Sequence, residues 1–311
     1  MFFQSLVNAL PGGIAQGLIW AILALGVYVT YKILDFADLT VDGSLATGGC
    51  VAIVLTVAGW HPILAMLVAF GAGAIAGVIT AILNTKLKIP AILSGILTMS
   101  ALYSINKRIL DGRANVSANA KTTLIGRVSA LLNMDYRGLD KNIIAIIICV
   151  VMLALVIGFL YWFFGTEQGS AIRATGNNKT MATAQGINTD RAKIIALALS
   201  NGFAALSGAM LSQYNSSADV NMASGTIVIG LASVVIGELI FGDKLSFWVK
   251  LLSVVVGSLI YRLIIVLAVQ IGLKTDDLKL IASIIIIIAL CVPEIKKKLT
   301  KLSTRGGSEN A

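Results

Sequence analysis

The stretch IIAIIICVVMLALVIGFLYWFF fills positions 143–164 and holds 22 residues without a single charge. As a helix rising 1.5 Å per residue it reaches about 33 Å, enough to cross the hydrocarbon core of a bilayer. Working outward from it, apolar runs recur at 6–33, 44–60, 61–83, 89–104, 194–212, 226–241, 251–271 and 280–292. Several hold about 16 residues or fewer, roughly 24 Å of helix, which falls short of that core. Short, glycine-interrupted spans point to broken helices that line a cavity. The expected fold is all-α: a polytopic transmembrane helix bundle with broken helices, forming one transmembrane domain over 1–311.

Composition agrees. The chain is 57% hydrophobic and 13% charged, against about 25% charged in an ordinary soluble domain. With 24 Lys/Arg and 15 Asp/Glu on 311 residues, a soluble fold could not cover its surface, and the disordered classes are excluded. The net charge of +9 would suggest nucleic acid in a soluble protein. Here it concentrates in short polar links and in the tail, so it reads as topology and no nucleic-acid partner is expected. One histidine cannot supply a Ser/His/Asp set. Cys50, Cys149 and Cys291 all lie in apolar runs without CxxC spacing, so neither a disulfide framework nor a metal site is expected. The N-terminus lacks the basic start of a cleavable signal peptide. The chain has no GxxxxGK[ST] phosphate loop, so it cannot hydrolyse ATP alone.

Orientation follows from counting. The basic tail 293–311 belongs in the cytoplasm. Parity then places 242–244, 165–193 and the Lys86/Lys88 turn inside and the N-terminus outside, with Lys32 in agreement. The segment 105–141 conflicts: it has seven Lys/Arg against three acids, yet parity puts it outside, as an ordered external element. Gly73 and Gly77, preceded by Ala69 and Gly71, make a GxxxG that serves either a helix-dimer face or packing within the bundle.

Two polar segments carry mechanism. LDFADLTVDGS at 34–44 sets three carboxylates between two apolar runs. They could relay protons, or they could cap, with Asp42 or Ser44 accepting from the free N–H groups of the following helix. EQGSAIRATGNNKTMATAQGIN at 167–188 offers Asn177 or Asn178 as an N-cap and Gly186 as a stop. Between them a helix of about two turns would present Met181, Ala182 and Gln185, either for docking into a partner's groove or as an ordinary interfacial loop.

Gly169, Arg173-Ala174, Gly176, Met181-Ala182 and Gly186-Ile187-Asn188 resemble the coupling-loop pattern of bacterial ABC importer permeases of the branched-chain amino acid and ribose type. LTVDGS at 39–44 is closest to the tryptophan/tyrosine and uncharacterised subgroup. The resemblance covers roughly positions 10–295. It implies a type II importer subunit in the bacterial inner membrane, paired with a second copy as a homodimer. It further implies a cytoplasmic ABC ATPase, which carries ATP and Mg while this chain has no cofactor of its own. An extracytoplasmic binding protein would deliver the solute, expected to be an aromatic amino acid. Arg173, Asn177, Met181, Ala182, Gln185 and Gly186 then become the ATPase-coupling residues.

A third feature is internal. ADLT at 37–40 aligns with ADVN at 218–221, and in that register Gly49 meets Gly230 and Val54 meets Val235. By parity the preceding runs cross in opposite directions, which makes a candidate inverted repeat; chance similarity of small-residue sequence is the alternative. On the repeat reading Asp38, Asp42 and Asp219 cap or brace the breaks, and Gly43, Ser44, Ser224 and Gly225 line the pathway. Helix N-termini there would point positive charge at a substrate carboxylate. The competing function is an ion-coupled secondary transporter or channel whose aspartates near Asp38 bind Na⁺ or H⁺. Glu238 is expected either to pair with Lys244 or a partner cation or to stand as a solvated interfacial carboxylate, and Arg262 to gate the pathway or snorkel outward.

Overall fold

A computed structural model describes residues 2–135, 138–242 and 245–272, together with 280, 283, 284 and 287. Eight of the nine apolar runs become helices: α1 (Phe2–Tyr28), α2 (Thr40–Val57), α3 (Pro62–Thr85), α4 (Ala91–Ile109), α6 (Gly138–Phe164), α9 (Thr189–Asn215), α10 (Thr226–Phe241) and α11 (Phe247–Gln270). Between them lie α5 (Leu124–Leu132), α7 (Glu167–Asn177) and α8 (Lys179–Ala184). The run at 280–292 and the tail 293–311 fall almost wholly outside the described residues. Among the described residues, six helices are long and apolar enough to cross a membrane. The sequence reading cut most spans too short. Polar residues assigned to links, such as Thr40 and Asp42 in α2 and Lys107 and Arg108 in α4, continue the helices at their ends. The shortest remaining span is α10, with 16 residues.

α1 is the central post. It is apolar on every side, so it must be surrounded, and it packs against α6, α9, α10 and α11. Its carbonyls accept from neighbours: Ser207 Oγ donates to Ile19 O at 2.8 Å and Ser258 Oγ to Gly17 O at 2.8 Å. At its end the helix widens into a π turn, Val29–Ile33.

α2 and α9 run side by side in one register. Ser44 meets Asn201, Gly48 abuts the Ala205 backbone, and Gln213 Nε2 donates to Thr56 Oγ1 at 2.8 Å. α3 closes on α9 through the GxxxG: a Cβ on Gly73 would strike Asn201 O and Ala205, and one on Gly77 would strike Leu197 O. That glycine pair therefore serves packing within the chain.

One end of the bundle carries a two-stranded antiparallel sheet, β1 (Asn115–Ser117) against β2 (Ser217–Asp219), the exception to an otherwise all-helical fold among the described residues. Residues 110–135 fold there. Thr123 caps α5, and Gln213 Oε1 accepts from Leu124 N at 2.9 Å. The opposite end carries α7, α8, the turn after α3, and Lys193 donating to Asn84 Oδ1 at 3.1 Å.

The backbone contact at Gly77 yields a prediction. Gly77→Val should lower stability by about 2 kcal/mol or more, because overpacking against a carbonyl cannot relax. Gly71, with open space around it, should accept alanine within about 0.5 kcal/mol. Thermal unfolding of both variants in detergent checks the contrast.

Candidate functional site

The chain breaks twice inside the bundle, and carboxylates sit at both breaks. After the π turn, residues 34–39 run without helix and bring Asp38 to Asn201, near the middle of α9. Asp38 is 3% exposed. Its Oδ1 accepts from Thr40 N at 2.9 Å and its Oδ2 from Asn201 Nδ2 at 2.6 Å. Asn201 Oδ1 in turn accepts from Ser44 Oγ at 2.6 Å, and the hydroxyls of Thr40 and Thr80 are 2.7 Å apart. A short polar network thus ties the start of α2 to α3 and α9, and neither partner of Asp38 is a cation.

Asp42 acts across the fold. α10 starts behind Gly225, whose φ of +83° suits glycine but leaves the helix without a side-chain cap of its own. Asp42 supplies the cap from α2: Oδ2 accepts from Gly225 N at 2.9 Å, and Oδ1 from Ile227 N at 2.7 Å and Thr226 Oγ1 at 2.9 Å. An acceptor at that place meets both the orphan donors and the positive helix end. The cap expected from Asp42 to the helix that follows it goes instead to a helix that starts 184 positions later. Asp219 accepts from Asn221 N at 2.7 Å, the same local turn that Asp38 makes with Thr40.

A cavity of about 450 Å³ lies between α2, α4 and residues 220–225. Asp42 and Gly43 border it on one side, Met99, Tyr103 and Asn106 of α4 on another, and Ser224 on a third. Ser44 is turned into α9 and lies outside this lining; Gly225 sits beside it, exposed, under Asp42. The free helix N-termini expected to greet a carboxylate are taken: Asp42 holds Gly225 N and Ile227 N, and Asp38 holds Thr40 N. Met99, Tyr103 and Asn106 escaped the sequence reading. A lone amide near the end of an apolar helix was the available signal, and it fell just past the boundary drawn at 104.

At the far end, Asn178 rather than Asn177 caps α8, accepting from Met181 N at 2.9 Å, and Gly186 turns the chain with φ +80°. Asn177 closes α7. Met181 is 56% exposed and Gln185 is exposed. Ala182 is 1% exposed, so it does not belong to the presented surface: α8 turns that methyl into the molecule. Arg173 lies 4.2 Å over the Phe247 ring and 5.4 Å from that of Phe164, which fixes α7 to α11 and α6. Gly176 lets α7 touch the carbonyl of Ile33. Nearby, Lys32 Nζ reaches Glu238 at 2.9 Å. Glu238 thus finds its cation in Lys32; Lys244, one partner expected for it, is outside the described residues. Arg262, expected to gate or to snorkel outward, donates to Gln16 Oε1 of α1.

The family described as branched-chain amino acid transport system, permease component, matches residues 10–291. The chain belongs to this family. A tyrosine transport system permease protein of Clostridioides difficile (strain R20291) is 38% identical to this permease over 290 residues, covering 93% of each chain. A probable branched-chain amino acid transport permease protein of Methanocaldococcus jannaschii is 28% identical, over 65% of each. A ribose import permease protein of Haemophilus influenzae is 26% identical, over 75% of this chain and 66% of its own. The permease is thus a multi-pass membrane subunit of an ABC importer. Transport systems of that kind include an ATPase and a binding protein.

Removing the Asp42 carboxylate should loosen the junction of α2 and α10. Asp42→Ala leaves three donors without an acceptor and should cost about 2–4 kcal/mol. Asp42→Asn keeps one accepting oxygen and should cost less, and Thr226→Val least, about 1 kcal/mol. That order of melting temperatures, measured on the purified permease, checks the cap.

Proposed function

We propose that the permease imports an aromatic amino acid, tyrosine or a close analogue, by alternating access driven by a separate cytoplasmic ATPase. The observation that carries the substrate class is the 38% identity over 93% of both chains to a permease named for tyrosine transport. The cavity agrees in kind: it combines a carboxylate, amides and hydroxyls with the apolar walls of Met99 and Ala46.

α8 is the ATPase contact on this reading, with Met181 and Gln185 forming the surface and Arg173, Asn177 and Gly186 fixing its position. Ala182 anchors α8 from within. Motion imposed on α8 reaches the pathway through α7, because Gly176 rests on Ile33, the last residue before the break that leads to Asp38 and Asp42. The α7 end faces the cytoplasm and the sheet end faces outward, so the N-terminus lies outside and the cavity opens toward a binding protein. A second copy completes the pathway as a homodimer in the bacterial inner membrane. The segments around Asp38 and Asp219 are the breaks of an inverted repeat, an arrangement favoured by their shared turn and by the meeting of α2 and α10 at their starts. Ion coupling is the weaker reading, since Asp38 is buried away from the cavity with both oxygens held by Thr40 and Asn201, and no second carboxylate among the described residues joins Asp42 on the cavity wall.

Proteoliposomes holding the permease, its ATPase and its binding protein should take up labelled tyrosine only with ATP, whatever ionophores are added. Uptake driven by an ion gradient without the ATPase would overturn the proposal. Met181→Glu should lose the ATPase on co-purification while remaining monodisperse, because a docking groove cannot absorb an unpaired charge. Ala182→Glu should instead lower the yield of folded permease.

Orientation has its own check. Ser117→Cys should react with an impermeant maleimide on intact cells, and Thr183→Cys only after the membrane is opened. The reverse pattern would invert the assignment of both ends.

A further inference from the structure

Among the described residues, one buried side-chain amide stands without a partner while the others that face the bundle find theirs. Asn84 donates to Ile89 O and accepts from Lys193, Asn142 accepts from Tyr214, and Asn201 bridges Asp38 and Ser44. Asn106 is 1% exposed, and neither its Nδ2 nor its Oδ1 has a partner among the described residues. Leaving both ends of a buried amide unmade is costly, and folded proteins rarely tolerate it without a reason. Asn106 stands on the wall of the 450 Å³ cavity.

The surroundings state what would satisfy it. Asp42 is the acidic residue of the lining, and no lysine, arginine or histidine joins it. The cavity therefore suits a cationic group at the Asp42 side and does not suit an unaccompanied anion. Gly43 packs on Met99 and Leu102. Asn106 lies one helical turn beyond Leu102, about 6 Å along α4, toward the sheet end. Met99 and Tyr103 lie between those two polar points on the α4 wall and offer surface to a ring. An amide both donates and accepts, and so does a phenol.

We propose that the cavity is a solute site of the permease itself and that Asn106 selects a solute whose side chain ends in a hydroxyl. The proposal rests on the aromatic amino acid reading above. The ammonium group lies toward Asp42, the ring lies against Met99 and Tyr103, and the phenol exchanges hydrogen bonds with Asn106. Selection then occurs twice, in the binding protein and again in the membrane, where phenylalanine would leave the amide unpaired.

The test measures binding of labelled tyrosine and labelled phenylalanine to the permease and its ATPase in nanodiscs, without the binding protein. Wild type should prefer tyrosine about tenfold, the worth of one hydrogen bond pair. Asn106→Ala and the near-isosteric Asn106→Leu should reduce that preference to about twofold or less, chiefly by weakening tyrosine. In case both variants fold poorly, Ser100→Cys, on the cavity wall with Asn106 intact, provides a second readout. Tyrosine should slow its alkylation by N-ethylmaleimide more than phenylalanine does. Variants that keep the tenfold preference, or an absence of protection at Ser100→Cys, would overturn the proposal. ATP-driven tyrosine import by the wild-type complex would still leave the functional reading standing in that case. A wild-type complex that neither binds nor imports tyrosine would overturn both.

Discussion

The carboxylate of Asp42 holds the start of α10 against the first turn of α2, inside a bundle where lipid has nothing to offer an open helix end. A helix that begins within a membrane leaves orphan N–H groups, and each must find an acceptor or the break cannot persist. Gly225 permits the sharp turn but carries no acceptor, so the acceptor has to come from elsewhere. With Asp42 in place α10 can stay short, residues 220–225 can dip back into the bundle, and a cavity remains above them. Without it the same 16 residues would be too few to span and too exposed to end where they do.

Asp38 plays the complementary part for α2, and the two carboxylates do so with different partners. Asp38 is locked by a backbone N–H and a fully buried amide, within a network that also fastens Ser44. Asp42 borders a cavity and reaches across to a second helix. The first arrangement fixes a start in place; the second joins two elements that have few other reasons to stay together, since α2 and α10 otherwise touch little. Because both sets of donors are occupied from within, the cavity presents carboxylate, amide and hydroxyl rather than the bare positive end of a helix. That reverses the polarity the sequence alone implied.

Hydropathy made the helical runs legible because it is a one-dimensional property: each span must be apolar over its own length. The ends were misjudged where polar residues prolong a helix, as at Thr40 in α2 and Lys107 in α4. Partnerships were the harder part. That Asp42 would cap something followed from its type and place, but not that its partner lay at Gly225 and Ile227. Glu238 invited a neighbour in sequence and took Lys32, 206 positions away. Met181 and Ala182 are neighbours on one short helix, yet only the fold decides that the Ala182 methyl turns inward. Asn106 looked like the polar edge of a span, and nothing in one dimension marks an amide as unpaired.

The packing also explains how such a bundle could move without coming apart. α2, α3 and α9 interlock through glycines whose backbones touch, at Gly48, Gly73, Gly77 and Gly208, and such contacts resist sliding. α10 and α11 interlock in the same way, through Gly237 against Ser253 and Gly257 against Ser233. Between these two groups stands α1, which touches α9 at Gly26 and α11 at Gly17; the tie from α2 to α10 is polar, the Asp42 cap, and the Lys32–Glu238 pair fastens α10 to the turn that ends α1. The ion pair is partly exposed, so it is worth about 1 kcal/mol or less and can open cheaply. The cap is stronger, but its acceptor, Asp42, borders a cavity whose occupant can compete for it. Two rigid groups joined by replaceable hydrogen bonds can rock about a central helix, whereas a bundle sealed by glycine contacts on every side could not.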